Sequence, residues 1–185
     1  MKKFLLAVFA ALLLAPAALA VEPQTPSDFC KALRTSQPGL FGEGKTYKNL
    51  GACVSKQNAQ SEKNAANAAK TCKAEMADPN FAASHGGKSF ADHYGTSGDK
   101  GKRQGGDNGK GNALGKCVSQ HASQDTAADH AAEVKAAKTC KAELKLTAEQ
   151  FAAKYPGKTF ASKYGTNKNA KNAFGKCVSA LAKAS

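Results

Sequence analysis

Apolar side chains larger than alanine are unevenly spread along this chain. Apart from a run near the start, the bulky ones gather in three clusters. Between the clusters, Val54–Thr71 and Val118–Thr139 contain no aromatic residue, glycine or proline and are rich in Ala, Lys, Asn and Gln. Alanine is the best helix former and no breaker interrupts either stretch, so both read as helices. The longer one is expected to run from about Asn112 to Glu143, through the cysteines that flank it. No segment alternates apolar and polar residues with the period of two that marks a strand. The pattern predicts an all-α fold: small helical modules joined by Ala-rich helices.

Local signals place short helices inside the clusters. In the third cluster, Thr147 is an N-cap for TAEQFAAKY, Pro156-Gly157 stops that helix, and Thr159 caps TFASKY, which Gly165 ends. The second cluster follows the same plan, with Asp78-Pro79 as cap and first position, then Gly86-Gly87, Ser89 and Gly95. It also carries an inserted Gly-rich basic loop over 96–112. The first cluster passes straight from Tyr47 to Lys48-Asn49-Leu50-Gly51 and is a truncated version.

The shared plan is an internal repeat. Gly-Lys-(Ser/Thr)-(Phe/Tyr) recurs at 44–47, 87–90 and 157–160, followed each time by Asn, an apolar residue and Gly-x-Cys-Val-Ser. One further cysteine precedes each copy: Cys30, Cys72 and Cys140. The expected organisation is module 1 over 21–55, a connector over 56–71, module 2 over 72–119, a connector over 120–139 and module 3 over 140–185.

Helix length then restricts cysteine pairing. Cys117 and Cys140 stand about 34 Å apart on a straight helix at ~1.5 Å per residue, whereas crosslinked Cα atoms sit within about 7 Å. Cys53–Cys72 fails in the same way. Chain order and repeat symmetry leave Cys30–Cys53, Cys72–Cys117 and Cys140–Cys177, each closing a module around its own aromatics. On the chain-entropy model each crosslink contributes on the order of 3.5–4 kcal/mol. Modules this small need such staples.

Disulfides fit an exported chain. Lys2 and Lys3, the apolar run Phe4–Leu14 and Ala18-Leu19-Ala20 form a secretory signal with cleavage after Ala20. The six cysteines all follow it and include no CxxC pair, which argues against zinc-ribbon and thioredoxin-like readings. The full chain has a formal net charge of +13, and loss of Lys2 and Lys3 with the signal leaves +11. Such an excess favours polyanions: cell-wall polymer, nucleic acid or lipid headgroups.

Several motifs invite chemistry that the residues around them do not support. Gly39–Thr46 matches the P-loop pattern, but the CKALRTSQP before it is no buried strand and the sister repeats lack the first glycine. Gly51, Gly115 and Gly175 recur two residues before the second cysteine, which suggests a close approach by an aromatic or a backbone. His85, His93, His121 and His130 do not recur between repeats and read as solvated, with no metal site. No catalytic residue is placed by any recognisable motif, and paired cysteines leave no thiol nucleophile.

Tyr94-Gly95-Thr96 with Asn112–Ser119, Tyr164–Ser179 and, less closely, Asn49–Ser55 resemble cysteine repeats in uncharacterised secreted bacterial proteins of the actinobacterial kind. The resemblance implies an exported module and brings no activity or site residue with it. The functional expectation therefore rests on charge. Lys100, Lys102, Arg103 and Lys110 decorate the Gly-rich loop, and Lys163, Lys168, Lys171 and Lys176 crowd the matching part of module 3. These are the candidate contacts of a non-enzymatic, cofactor-free protein that binds anionic polymers or surfaces of the cell envelope without inserting in a membrane. The alternatives are a secreted cationic antimicrobial or membrane-active factor, and an enzyme without a recognisable motif.

Overall fold

The computed structural model describes residues 25–95 and 112–184. The expected signal sequence over 1–20, and Lys100, Lys102, Arg103 and Lys110 of the Gly-rich stretch, lie outside them. The described residues form α-helices and one 3-10 turn, with no strand among them: α1 (Pro26–Ser36), the turn Pro38–Leu40, α2 (Leu50–Ala77), α3 (Phe81–Ser84), α4 (Phe90–Tyr94), α5 (Ala113–Leu144), α6 (Ala148–Lys154), α7 (Phe160–Tyr164) and α8 (Ala173–Lys183). The fold is all-α. Among these residues no helix is long and apolar enough to cross a membrane.

The caps sit where side-chain chemistry requires them. Thr147 accepts from the Gln150 amide and Gln150 reaches back to the Thr147 amide, closing a capping box; Thr159 and Ser162 do the same for α7. Ser89 accepts from Asp92 N and Asn49 from Ala52 N. Module 2 departs from expectation at one point. Asp78 ends α2, its carboxylate accepts from Asn80 N at 2.8 Å, and the helix proper begins only at Phe81. Asp78 holds a turn, with the helix start two residues further on.

The crosslinks are Cys30–Cys53, Cys72–Cys117 and Cys140–Cys177, with Cα separations of 6.0, 5.9 and 6.0 Å. Both Ala-rich stretches are single helices, α2 of 28 residues and α5 of 32. They do not, however, hold three separate cores apart. Cys72 lies near the end of α2 and Cys117 near the start of α5, so their bond turns the chain back on itself. The two helices then run antiparallel, Gln57 of α2 facing Glu133 of α5 and Asn64 facing Thr126 and Asp129.

Two cores result. Module 2 builds one around Cys72, Phe81, Tyr94, Ala113 and Cys117. At the opposite end of the helix pair, modules 1 and 3 merge into one, in which Phe29, Leu33, Leu40 and Tyr47 pack with Phe151, Tyr164 and Val178. The reason is that helices of similar length, folded back from a crosslink, bring their far ends together.

Little apolar surface larger than alanine is available between α2 and α5, and hydrogen bonds fill that role. Gln57, Asn64 and Glu133 are buried. Gln57 Nε2 donates to Glu133 Oε2 at 2.9 Å, and Asn64 Nδ2 and Gln60 Nε2 donate to Asp129 Oδ2 at 2.9 and 3.0 Å. Bonds to charged acceptors contribute about 1.5–3 kcal/mol each, and leaving a buried carboxylate unpaired costs more.

Candidate functional site

The second and third modules share a tyrosine–glutamate pair, with Glu143 buried and Glu75 half-buried. Glu75 and Glu143 each stand three residues after the first cysteine of their module, in Cys-Lys-Ala-Glu. Tyr94 and Tyr164, of Tyr-Gly-Thr, donate to them at 2.9 Å in both modules. In module 3, Tyr155 and Lys154 also bond Glu143, at 2.9 and 2.6 Å. Burial would raise the Glu143 pKa, but the bonds from Lys154, Tyr155 and Tyr164 outweigh it and hold the carboxyl below its usual range. Burial, the Tyr155 hydroxyl and the Glu143 carboxylate push Tyr164 well up; burial and Glu75 push Tyr94 to about 12.

Module 1 breaks this pattern in an informative way. Its motif is Cys-Lys-Ala-Leu, so Leu33 occupies the place of the glutamate and is buried. The module's own tyrosine, Tyr47, finds its carboxylate elsewhere: it donates to Glu133 of α5, while Gln57 Nε2 donates to its oxygen at 3.2 Å. Burial and the Glu133 charge raise the Tyr47 pKa far above its ordinary value.

That tertiary contact assembles a basic cleft. The loop carrying Lys45 and Thr46, the first turns of α2 with Lys56, and α8 with Lys176 and Ser179 enclose about 300 Å³. Lys56 stands 5.0 Å over the Tyr47 ring with its Nζ 3.4 Å from the hydroxyl. A second cleft of about 600 Å³ adjoins it, lined by Lys56, Lys176 and Lys183 together with Gln57, Gln60 and Glu133. Among the described residues, none of these four lysines forms a salt bridge. Thr46 Oγ1 is buried in the first cleft with no hydrogen-bond partner.

Gly175 makes this junction sterically possible. A β-carbon there would lie 2.5 Å from Thr46 Oγ1 and 2.9 Å from the Thr46 amide nitrogen. The expected close approach therefore holds at Gly175 and fails for its sisters. A β-carbon on Gly115 would meet nothing within 4 Å, and one on Gly51 only Asn49 Oδ1 at 3.4 Å. The difference arises because only α8 has another module's backbone lying across its first turn.

The lysines singled out by sequence separate accordingly. Lys176 enters the cleft. Lys171 lies alongside Gly44 at its edge, where a β-carbon on that glycine would come 3.6 Å from Lys171 Cβ. Lys163 packs over Tyr155 at 4.8 Å and Tyr164 at 5.9 Å, and Lys168 is exposed and apart. Lys45, Lys56 and Lys183 were not anticipated. Lys45 carries a signal, since it belongs to the recurring Gly-Lys-(Ser/Thr) turn; Lys56 and Lys183 meet it only through the merging of modules.

Of the four histidines expected to be solvated, His93 is exposed, His85 and His121 are half-buried, and His130 corrects the expectation. His130 is 9% exposed and stacks on Phe29 with ring centroids 3.7 Å apart; its Nε2 is buried without a partner. His121 Nε2 lies 3.2 Å from Tyr94 OH and 3.4 Å from Glu75. His85 stacks on Phe81 at 3.8 Å, and His93 packs edge-on to the same ring. Neighbouring aromatics and carboxylates of the fold, which sequence spacing does not display, account for each. Cys72, Cys117 and His121 bring possible ligand atoms within 4.8 Å of one another, but both sulfurs are spent in a disulfide and are not thiolates.

The Gly39–Thr46 stretch begins inside the 3-10 turn that follows α1, with no strand leading into it, so the context that a phosphate-cradling loop requires is missing there. Compared with protein-family models, curated proteins and solved structures, the chain matches none.

Proposed function

We propose that this is an exported, non-enzymatic protein that binds anionic polymers of the cell envelope, and that it grips them at the cleft between modules 1 and 3. The observation that carries this reading is the convergence of Lys45, Lys56 and Lys176 from three separate elements on one cavity of about 300 Å³. Three lysines lining a cavity that no carboxylate lines favour an anionic occupant. Ser179 and Asn172 at the same wall add hydrogen-bonding groups of the kind that suit phosphate or sulfate oxygens. The cationic excess of the whole chain would steer a long polyanion to this cleft and extend the contact beyond it. Three disulfides and the N-terminal signal pattern support export into an oxidising compartment.

The test compares two triple variants of equal charge on resins bearing heparin, DNA or teichoic acid, across a salt series. Lys45→Gln/Lys56→Gln/Lys176→Gln should elute at clearly lower salt and flatten the dependence of log K on log[salt] by two to three phosphate equivalents, each ~0.7–0.9. Lys63→Gln/Lys70→Gln/Lys73→Gln, on exposed positions of α2, should shift elution much less. Equal shifts would show that total charge acts without a site, and retention indifferent to salt would remove the polyanion reading. Leakage from anionic vesicles at low micromolar protein would replace it with a membrane-active factor.

A further inference from the structure

A groove of about 560 Å³ runs between α1 and α5, on a part of the molecule separate from the basic cleft. Phe29 and Leu33 of α1 form one wall; Ala127, Ala131 and Val134 of α5 form the other. Its limits along α5, Ser123 and Thr139, are about 24 Å apart at ~1.5 Å per residue, so it is long rather than round. No carboxylate lines it. The hydroxyls at its edges are mostly engaged within the protein: Ser36 Oγ donates to Ala32 O at 2.9 Å, Thr139 Oγ1 to Lys135 O at 3.1 Å, and Thr126 Oγ1 accepts from Asn64 Nδ2 at 3.2 Å.

One contributor to its apolar character is a position where module 1 departs from its sisters. Leu33 stands where Glu75 and Glu143 stand, so this wall carries a hydrocarbon where the other modules carry a carboxylate. Charge appears only at one end, where the exposed Lys135 and Lys138, one turn apart on α5, both border the groove. Its floor includes His130. Among the described residues two buried side-chain polar atoms lack a partner, Thr46 Oγ1 and His130 Nε2, and one belongs to each of the two cavities.

The geometry points to a binding site for a fatty acid: its acyl chain lies between α1 and α5 and its carboxylate pairs with Lys135 and Lys138. An elongated apolar groove with polar contacts confined to one end matches a single-chain amphiphile better than a ring system or a sugar. Two adjacent ammonium groups, with no acidic residue in the lining, complement a carboxylate head. Burying the chain removes apolar surface of both partners from water, which is the main favourable contribution. This inference stands independently of the polyanion cleft.

The experiment is calorimetric titration of the oxidised protein with laurate below its micelle concentration, alongside NMR of the His130 ring and Val134 methyls. Saturable one-to-one binding at micromolar concentration is expected, with both sets of resonances shifting together. Ala131→Trp fills the groove from an exposed position and should abolish binding while leaving the helical circular dichroism unchanged. Lys135→Glu/Lys138→Glu should weaken laurate at least tenfold and leave dodecanol within twofold. Absence of saturable binding up to millimolar laurate, or equal affinities in all three proteins, would overturn the inference. So would a concentration-dependent dimer that Ala131→Trp abolishes, since the groove would then belong to a second copy of the chain.

Discussion

The Tyr164 hydroxyl lies 2.9 Å from the Glu143 carboxylate, and the equivalent hydroxyl, Tyr94, lies 2.9 Å from Glu75. Each pair ties the end of a module's aromatic insert to the helix that carries its first cysteine. Tyr47 makes the third such contact, but to Glu133 in the connector part of α5, and so ties module 1 to the helix that leads into module 3. The same tyrosine-to-glutamate chemistry thus closes two modules and links the remaining one to its neighbour.

Removing one hydroxyl should show how much these pairs contribute. Tyr47→Phe strips the cross-module donor and should cost about 1.5–3 kcal/mol, the range for a bond to a charged group. Tyr94→Phe should cost less, because His121 remains 3.4 Å from Glu75. Denaturant melts of the oxidised protein measure both, and equal costs would show that His121 gives Glu75 no support.

Acid should act through Glu143. Its folded pKa lies below the unfolded value, so the carboxylate's contribution is fully present above about pH 4.5 and is lost as pH falls through the folded value. Melting temperature should therefore drop on acidification below that point. In Glu143→Gln the drop should shrink, at the expense of lower stability near neutrality.

His130 acts in a higher pH window. Burial lowers its pKa, opposed in part by the nearby charges of Glu133 and Asp129. The unfolded chain therefore binds the proton more readily, and stability declines as pH falls below about 6.5 towards the folded value. His130→Phe keeps an aromatic ring against Phe29 and should abolish the decline in melting temperature between pH 7 and 5. Retention of the full decline would assign it to other groups.

The repeated glycines should respond unequally to alanine. Gly175→Ala drives a methyl into Thr46 and should cost about 1–3 kcal/mol, the range for overpacking. Gly115→Ala meets open space in the first turn of α5 and should be neutral or stabilise by up to ~1 kcal/mol through helix propensity. A similar penalty at both sites would show that the glycines serve something other than this approach.

The Cys72–Cys117 bond closes the α2–α5 pair, so its loss should be felt far away. Cys72→Ser/Cys117→Ser should lose about 4 kcal/mol on the chain-entropy model. Amide exchange should quicken around Gln57 and Glu133, at the opposite end of the helices. Intact mass and peptide mapping of the oxidised protein should recover Cys30–Cys53, Cys72–Cys117 and Cys140–Cys177 and no crosslink between modules.

Local chemistry made much of this fold legible in sequence. Alanine content without breakers marked α2 and α5, hydroxyl caps marked α6 and α7, and the rise of a helix eliminated crosslinks along one rod. These are one-dimensional constraints, because each acts within a few turns of chain. The Cys-Lys-Ala-(Glu/Leu) pattern was not singled out in the sequence, because its meaning depends on which tyrosine each glutamate meets.

What only the tertiary structure decided is how the rods lie relative to one another. A crosslink near the ends of two long helices leaves their mutual angle open, and alanine faces specify no unique packing. The hydrogen bonds among Gln57, Asn64, Asp129 and Glu133 select the antiparallel arrangement. That arrangement brings Lys45 and Lys56 to Lys176, sets His130 on Phe29, and makes Gly175 the one repeated glycine that another module's backbone crowds. Each of these meetings joins residues far apart in the chain, so no local pattern of residues announces them.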